Sequence, residues 1–353
     1  MSETAQEIAA QEIEGQEEIP FVTEKEWMYN SATPVCEPEI TTQEIGGWVV
    51  DAEFFYALQQ MSVACGKEDR PALWGVCVER NDAGDGLKLI VTDTYRLWLK
   101  QVEARDVVLP ENTKRRLIIP KDFIKKIIPQ IIKENGGKRG FAWKGRNVPF
   151  KIIEIATINT YKRREEKRLG YNSTIEEFGD LVKVKDVRYK MVIGMDGQYE
   201  TDLITGQFVN YPRVIPSMDA VKQTVGISGK ALTPALEFCS AVASVDCDRV
   251  MLQFDHEGTL TVRAAVYEAS AGAVASASYP LKCGETVDMK FQIGLNHQYM
   301  LDFIGDYPGH LGMNFFGHLN SFLITKGDND LYVQMPMQLF DSDGKPTDGR
   351  WID

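Results

Sequence analysis

The residues of this chain whose types and spacing could do chemistry are its bases, and the chemistry they suit is neutralisation of phosphate. Between Thr113 and Arg168 stand seventeen Lys or Arg against five Asp or Glu, a local net of +12 in a protein whose formal charge is −12. Cations spaced along a helix and its neighbouring strands meet a sugar-phosphate backbone independently of base sequence and in a salt-sensitive way. Lys121, Lys125, Lys126 and Lys133 lie towards one side of a helical stretch whose other side carries Phe123, Ile124, Ile127, Ile128 and Ile131. Lys138, Arg139 and the cluster Lys162, Arg163, Arg164, Lys167 and Arg168 extend the basic run. For any one of these lysines the competing reading is a solvated helix face.

Other chemistries find no such concentration. The four histidines (His256, His297, His310, His318) stand at no metal-ligand spacing and read as surface or turn residues. The six cysteines (Cys36, Cys65, Cys77, Cys239, Cys247, Cys283) form no CxxC pair and read as reduced, mostly buried thiols. No GxSxG elbow, GxxxxGK[ST] loop, GxGxxG turn or HExxH helix occurs. Asp341, Asp343 and Asp348 sketch a calcium loop, but the Gly and closing Glu of an EF-hand are misplaced, so a solvated tail is the better reading. Acidic residues are plentiful, yet no carboxylate pair recommends a hydrolase. The expectation is a protein that is not an enzyme, with no metal and no cofactor.

The elements that must position the bases form an α+β body. Of 353 residues, 44% are hydrophobic and 25% charged, which suits two or three packed domains. No apolar run reaches membrane-span length and the N-terminus lacks the basic start and apolar core of a signal peptide, so no membrane partner and a cytoplasmic location are expected. Residues 1–45 hold eleven Glu and one Lys and read as an acidic flexible arm. Asp51 can cap a helix that puts Phe54, Phe55, Leu58 and Met61 on one face. The stretches WGVCVE and LKLIVTDT flank the turn NDAGDG as an antiparallel hairpin. The helix after Pro120 should be kinked or divided by Pro129 and ended by Asn135, Gly136 and Gly137. Strand-like KIIEIATI and YKMVIG follow, separated by a basic extended segment near 161–188 to which no period can be assigned, and Tyr211, Pro212 and Pro216 mark a linker.

From about Gly226 the order recurs: a helix opened by Thr233 in PALEFCSAV, strands VMLQF and LTVRAAVYEAS around the turn DHEG, further strands, the helix NHQYMLDFIGD, and strands LGMNFFG, SFLITKG and YVQMPMQL. Two copies of one unit are the economical reading. The domains expected are 46–218 and 219–340, followed by a tail at 341–353.

Four segments in this order carry a resemblance to the β sliding clamp of bacterial DNA polymerase III. RPALWGVCVE is similar to the stretch leading into that family's middle-domain hairpin, LIVTDTYRLWL to its ATDGHRLA-type motif, FVNYPRVIP to its FPDYxRVIP-type linker, and YVQMPMQL to its terminal MPMRL. The likeness covers roughly residues 46–340 and the family's middle and C-terminal domains only. It implies two tandem clamp-type domains, each with two helices on antiparallel sheets, the helices lining a channel for double-stranded DNA. It also implies a pocket for polymerase and clamp-loader peptides at Leu73, Thr92, Thr94, Tyr95, Arg96, Leu97, Val209, Arg213, Val214, Leu319, Ser321, Val333, Met335, Pro336 and Met337. A Met-Pro-Met wall beside Leu and Val can accept differing apolar anchors; the competing reading is that these residues finish strands and pack the core. Thr94 and Tyr95 stand where the family often has Gly and His, and Gln338 where it often has Arg.

A ring of six such units would need three two-domain chains, so a homotrimer is favoured over a dimer. The reduced form suggests a phage or other mobile element. The alternative function is a clamp-fold adaptor or inhibitor that binds replication proteins without encircling DNA; a metal-dependent nuclease on an unrelated fold is the third reading.

Overall fold

The computed structural model describes residues 36–109, 116–134, 148–168, 174–194, 197–243, 248–255, 257–268, 272–282, 291–317 and 319–339, with the side chains of 162–182 and 265–276 outside that description. The acidic residues before Cys36, the tail after Leu339, Lys138, Arg139, Cys247, Cys283, His256 and His318 therefore lie outside the described residues. The described residues form two compact units, one within Gly46–Lys151 and Val192–Asp353, the other within Met1–Ile45 and Ile152–Met191.

Each half of the chain runs through the same succession. The first has β1 (Glu39–Val50), α1 (Ala52–Met61), β2 (Gly75–Arg80), β3 (Gly86–Thr92), β4 (Arg96–Glu103), β5 (Arg105–Val108), β6 (Leu117–Pro120), α2 (Lys121–Lys126), α3 (Ile128–Glu134), β7 (Val148–Arg168), β8 (Thr174–Ile193) and β9 (Tyr199–Asp202). The second has β10 (Gln223–Ser228), α4 (Gly229–Ala243), β11 (Arg249–Phe254), β12 (Thr259–Glu268), β13 (Gly272–Lys282), β14 (Phe291–Asn296), α5 (His297–Ile304), β15 (His310–Phe315), β16 (Phe322–Lys326) and β17 (Asp330–Gln334). The strand orders correspond: β4-β3-β2-β6 matches β13-β12-β11-β14, and β1-β7-β8-β9 matches β10-β15-β16-β17, with β5 added beside β1. Antiparallel pairing of β4 with β17 fuses one sheet from each module into a continuous eight-stranded sheet. The fold is thus α+β, with helices packed on antiparallel sheets in two tandem modules.

Local chemistry accounts for most of these elements. The Asp51 carboxylate accepts from the Glu53 N–H at 2.8 Å and starts α1, which buries Phe54, Phe55, Leu58 and Met61 at the expected spacing. Asn296 caps α5 by accepting from the Tyr299 N–H at 3.1 Å. In the β2–β3 turn the Asn81 side-chain oxygen accepts from the N–H groups of Asp85 and Gly86, and Gly84 takes the φ of +80° that a side chain would resist. The helix after Pro120 divides at Ile127, ahead of Pro129, which has no N–H to offer the preceding turn. The first module's core stacks Trp48 on Phe150 at 5.4 Å, with Phe54 edge-on to Phe55 and Phe150.

Four expectations need correction. Strand β1 begins at Glu39, inside the segment that composition alone reads as an arm. The charged segment after Tyr161 is strand through Arg168 and again from Thr174, where the run KRREEKR offers no apolar–polar alternation to read. Helix α4 starts at Gly229, before Thr233, and carries Pro234 inside it; both Pro234 and Lys230, whose carbonyl the proline cannot pair, are exposed, so water can meet the loose end. His297 is buried at 2% exposure, with Nδ1 2.9 Å from the Asp248 carbonyl oxygen.

The smaller unit is the ribbon from Ile152 to Met191 with the described residues before Gly46. Its described ion pairs, Lys183 with Glu39 at 3.6 Å and Lys185 with Glu154 at 4.0 Å, are partly exposed and contribute little.

Candidate peptide pocket and basic surface

The site implied by the four motifs lies where β4 meets β17. Register there pairs Arg96 with Gln334, Leu97 with Val333 and Trp98 with Tyr332. Trp98 stands edge-on to Phe303 of α5 at 5.2 Å, Phe303 stacks on Tyr332 at 4.5 Å, and Asp330 accepts from Trp98 Nε1 and Lys100 Nζ. The two modules therefore share one core across the junction.

Leu73, Leu97 and Val333 are buried in a single apolar cluster with Phe208, Tyr211, Phe316 and Leu323, and Val209 packs against it. Above this floor four apolar side chains of the implied set are exposed: Tyr95 at 62%, Leu319 at 54%, Met335 at 48% and Val214 at 46%. Where such exposed apolar groups form a contiguous patch they mark a surface for protein contact. Arg213 and Thr94 are also exposed; Ser321, Pro336 and Met337 are half-buried.

The turn that presents Tyr95 is tightly held. Asp93 Oδ1 accepts from the N–H groups of Tyr95 and Arg96, and the Thr92 hydroxyl accepts from the Thr94 N–H while donating to the Arg96 carbonyl at 2.6 Å. Thr94 sits at φ +83°, a conformation costly for a β-branched residue and natural for glycine. The Met335 N–H donates to the Tyr95 carbonyl at 2.9 Å, and the Met337 N–H to that of Gly294 at 2.8 Å. These two bonds fix the backbone of the Met-Pro-Met wall. A Cβ at Gly294 would stand 2.4 Å from the Met337 carbonyl oxygen, so only glycine admits the approach.

Two implied pocket residues face inward. Thr92 is buried, and Arg96, 6% exposed, spends its guanidinium on Asp93 (2.9 Å), Asp302 (2.7 Å), the Val63 carbonyl (2.9 Å) and the Tyr299 ring face (4.1 Å). Arg96 therefore ties the modules together beneath the pocket. Residues that sequence reading missed share this positioning work: Asp302 and Tyr299 on α5, and Arg116, which pairs with Glu79 at 2.6 Å and donates to the Val209 carbonyl at 2.7 Å. The Tyr211 hydroxyl donates to Glu79 at 2.8 Å, and burial, with that bond, raises its pKa. Together these contacts pin the YPRV linker against β2. No local signal in the sequence announces them, because each joins positions far apart.

Of the basic residues, Lys125, Lys126 and Lys133 are exposed on α2 and α3. Lys121 differs: its ammonium donates to the Cys65 carbonyl at 3.2 Å and lies over the Trp74 ring at 4.6 Å, and burial lowers its pKa. The backbone at Lys162, Arg163, Arg164, Lys167 and Arg168 belongs to β7, while their side chains lie outside the described residues. A cleft of about 520 Å³ lined by Asp51, Asn81, Glu103, Arg105 and Asn329 among others is polar and includes none of the implied pocket residues. Among the described residues no group of three His, Cys, Asp or Glu is placed to hold a metal, and no helix is long and apolar enough to cross a membrane.

Comparison with solved structures finds the same architecture in bacterial beta sliding clamps. The beta sliding clamp of Caulobacter crescentus aligns at 18% identity over 83% of this chain and 65% of its own, with a TM-score of 0.55. This is the sliding-clamp fold. The DNA polymerase III subunit beta of Bartonella birtlesii, solved bound to griselimycin, shares the clamp fold at 18% identity over 87% of this chain and 69% of its own, with a TM-score of 0.57. The Helicobacter pylori beta clamp, solved bound to a DNA ligase peptide, does so at 15% identity over 88% and 68%, with a TM-score of 0.56. The chain thus spans about two thirds of the length of these clamps. No protein-family model and no curated protein sequence matches it.

Proposed function

We propose that this protein is a sliding clamp: a DNA-encircling processivity factor that holds a polymerase or loader peptide at the junction of its two modules. The observation that carries the reading is the fusion of two like modules edge to edge through β4 and β17, with Tyr95, Val214, Leu319 and Met335 exposed beside the shared core. Repetition of one rotation builds a closed ring, and a two-module chain needs three copies to make a ring of six modules. Lys125, Lys126 and Lys133 supply sequence-independent phosphate contacts, which hold duplex DNA yet let it slide. The exposed rim offers adaptable apolar anchorage of the kind a peptide ligand fills. The function proposed is non-enzymatic and cytoplasmic.

The test is retention on DNA of defined topology. Loaded protein should stay on nicked circular duplex and leave when the circle is cut. Equal retention on linear and circular DNA, or none on either with replication proteins still captured, would replace this reading with that of an adaptor.

A further inference from the structure

The smaller unit brings a run of acids to a run of bases. Strands β7 and β8 hold ten Lys or Arg against seven Asp or Glu, and positions 183–190 alone hold four against one. Residues 1–35, outside the described residues, hold eight Glu and one Lys. They lead into β1, which begins at Glu39 and is paired with β7, so the acidic run enters the described chain beside the ribbon. An acid next to this run pairs with a ribbon base: Glu39 lies 3.6 Å from Lys183. Side chains two apart on a strand share a face, so Lys185, which lies 4.0 Å from Glu154, stands on the same side as Lys183. On the face of Glu154 the short side chains of Ala156 and Thr160 are buried, at 4% and 8% exposure, so this side is not bare to water.

We infer that residues 1–35 lie along this face of the ribbon with their glutamates on its bases, and that nucleic-acid phosphate must displace them to reach those bases. The occupant is the chain's own acidic segment. Its reach suffices, since thirty-five residues extend to about 115 Å and a strand of 21 residues spans about 70 Å. Each partly exposed pair alone contributes little. Tethering changes the balance, because a segment fastened at one end stands at its site at roughly millimolar effective concentration and its weak pairs act together. Carboxylate and phosphate then compete for one set of cations, and salt weakens both contacts.

Neither a ring nor threaded DNA enters this contact, so short linear duplex is the probe. In the full chain a photo-crosslinking amino acid replaces Lys185, which is exposed, and an equal mixture of isotope-labelled and unlabelled protein is illuminated and mapped by mass spectrometry. The expected result is crosslinks into residues 1–35 that join like-labelled peptides. The combined changes Glu12→Gln, Glu14→Gln, Glu17→Gln and Glu18→Gln should raise affinity for the linear duplex about tenfold at low salt, a gain that shrinks as salt is added. Removing four exposed acids of the larger unit instead, by Glu68→Gln, Asp69→Asn, Glu103→Gln and Asp306→Asn, should give no such gain. Crosslinks that map elsewhere or join labelled to unlabelled chains overturn the placement. Equal affinity of variant and parent, or an equal gain from the second set of changes, overturns the competition. Loss of retention on circular DNA would overturn the sliding-clamp reading and leave this contact standing.

Discussion

Arg96 and Asp302, 206 positions apart, meet at 2.7 Å and fasten the start of β4 in the first module to α5 in the second. With only 5% of its side chain exposed, Arg96 stands between two carboxylates, Asp93 and Asp302, and under the ring of Tyr299. A cation so placed is hard to remove, because its loss leaves two partly buried anions facing each other. Arg96→Met should therefore cost about 3 kcal/mol of stability. Asp302→Asn, at a side chain 19% exposed, should cost about 1 kcal/mol. Urea unfolding measures both, and an Arg96→Met change within about 0.5 kcal/mol of zero would show that the guanidinium is a surface group after all.

Thr94 should be improvable. Its φ of +83° strains a β-branched side chain, and no described hydrogen bond uses its hydroxyl. Thr94→Gly is expected to raise stability by about 1 kcal/mol, the strain released exceeding the entropy glycine adds to the unfolded chain. The signature is a higher urea midpoint with an unchanged slope. A lower midpoint would mean that the turn Asp93 to Arg96 holds Thr94 without strain.

The exposed and the tethered lysines should separate in a salt titration. Substituting Lys125, Lys126 and Lys133 together by Ala should lessen the slope of log affinity for duplex DNA against log salt by close to three contacts' worth, ~0.9 per phosphate. Lys121→Ala should leave the slope nearly unchanged and lower stability instead, since its ammonium is bonded to the Cys65 carbonyl. Equal slopes for the triple variant and the parent would remove the α2–α3 surface from DNA contact.

Alkaline pH should weaken the fold through its buried thiols. Burial pushes Cys65 up from 9.0 to about 12, and Cys239 to about 11. Each thiol is thus protonated in the folded chain at a pH where the unfolded chain has begun to lose that proton. The stabilisation is fully present below pH 9 and is lost as pH rises from 9 towards 12 for Cys65. Unfolding free energy followed over that window should fall more steeply in the parent than in Cys65→Ala. Mass-mapped alkylation at pH 8 should modify the exposed Cys36 and spare Cys65, Cys77 and Cys239 until denaturant is added.

Particular residues show how far the sequence reached. Asp51 capping a helix, Phe54 to Met61 on one face and the turn at Asn81 are decided within a few positions, so they were legible. The charged strands after Tyr161 were not, because a run such as KRREEKR carries no apolar–polar alternation. The implied pocket was half legible. Motif order indicated Leu97, Val333 and Met335 together, but it could not say that Tyr95 faces solvent while its neighbour Arg96 turns inward.

By itself the sequence determined that one α+β unit occurs twice, that its bases concentrate between Thr113 and Arg168, and that no familiar catalytic motif is present. Only the tertiary structure decided that β4 lies against β17, that Arg96 finds Asp302, and that Lys121 is tethered while Lys125, Lys126 and Lys133 are exposed. The physical reason is range. Periodicity, caps and turns act over a few residues, whereas the pairing of sheet edges and of buried charges depends on which distant surfaces exclude water together.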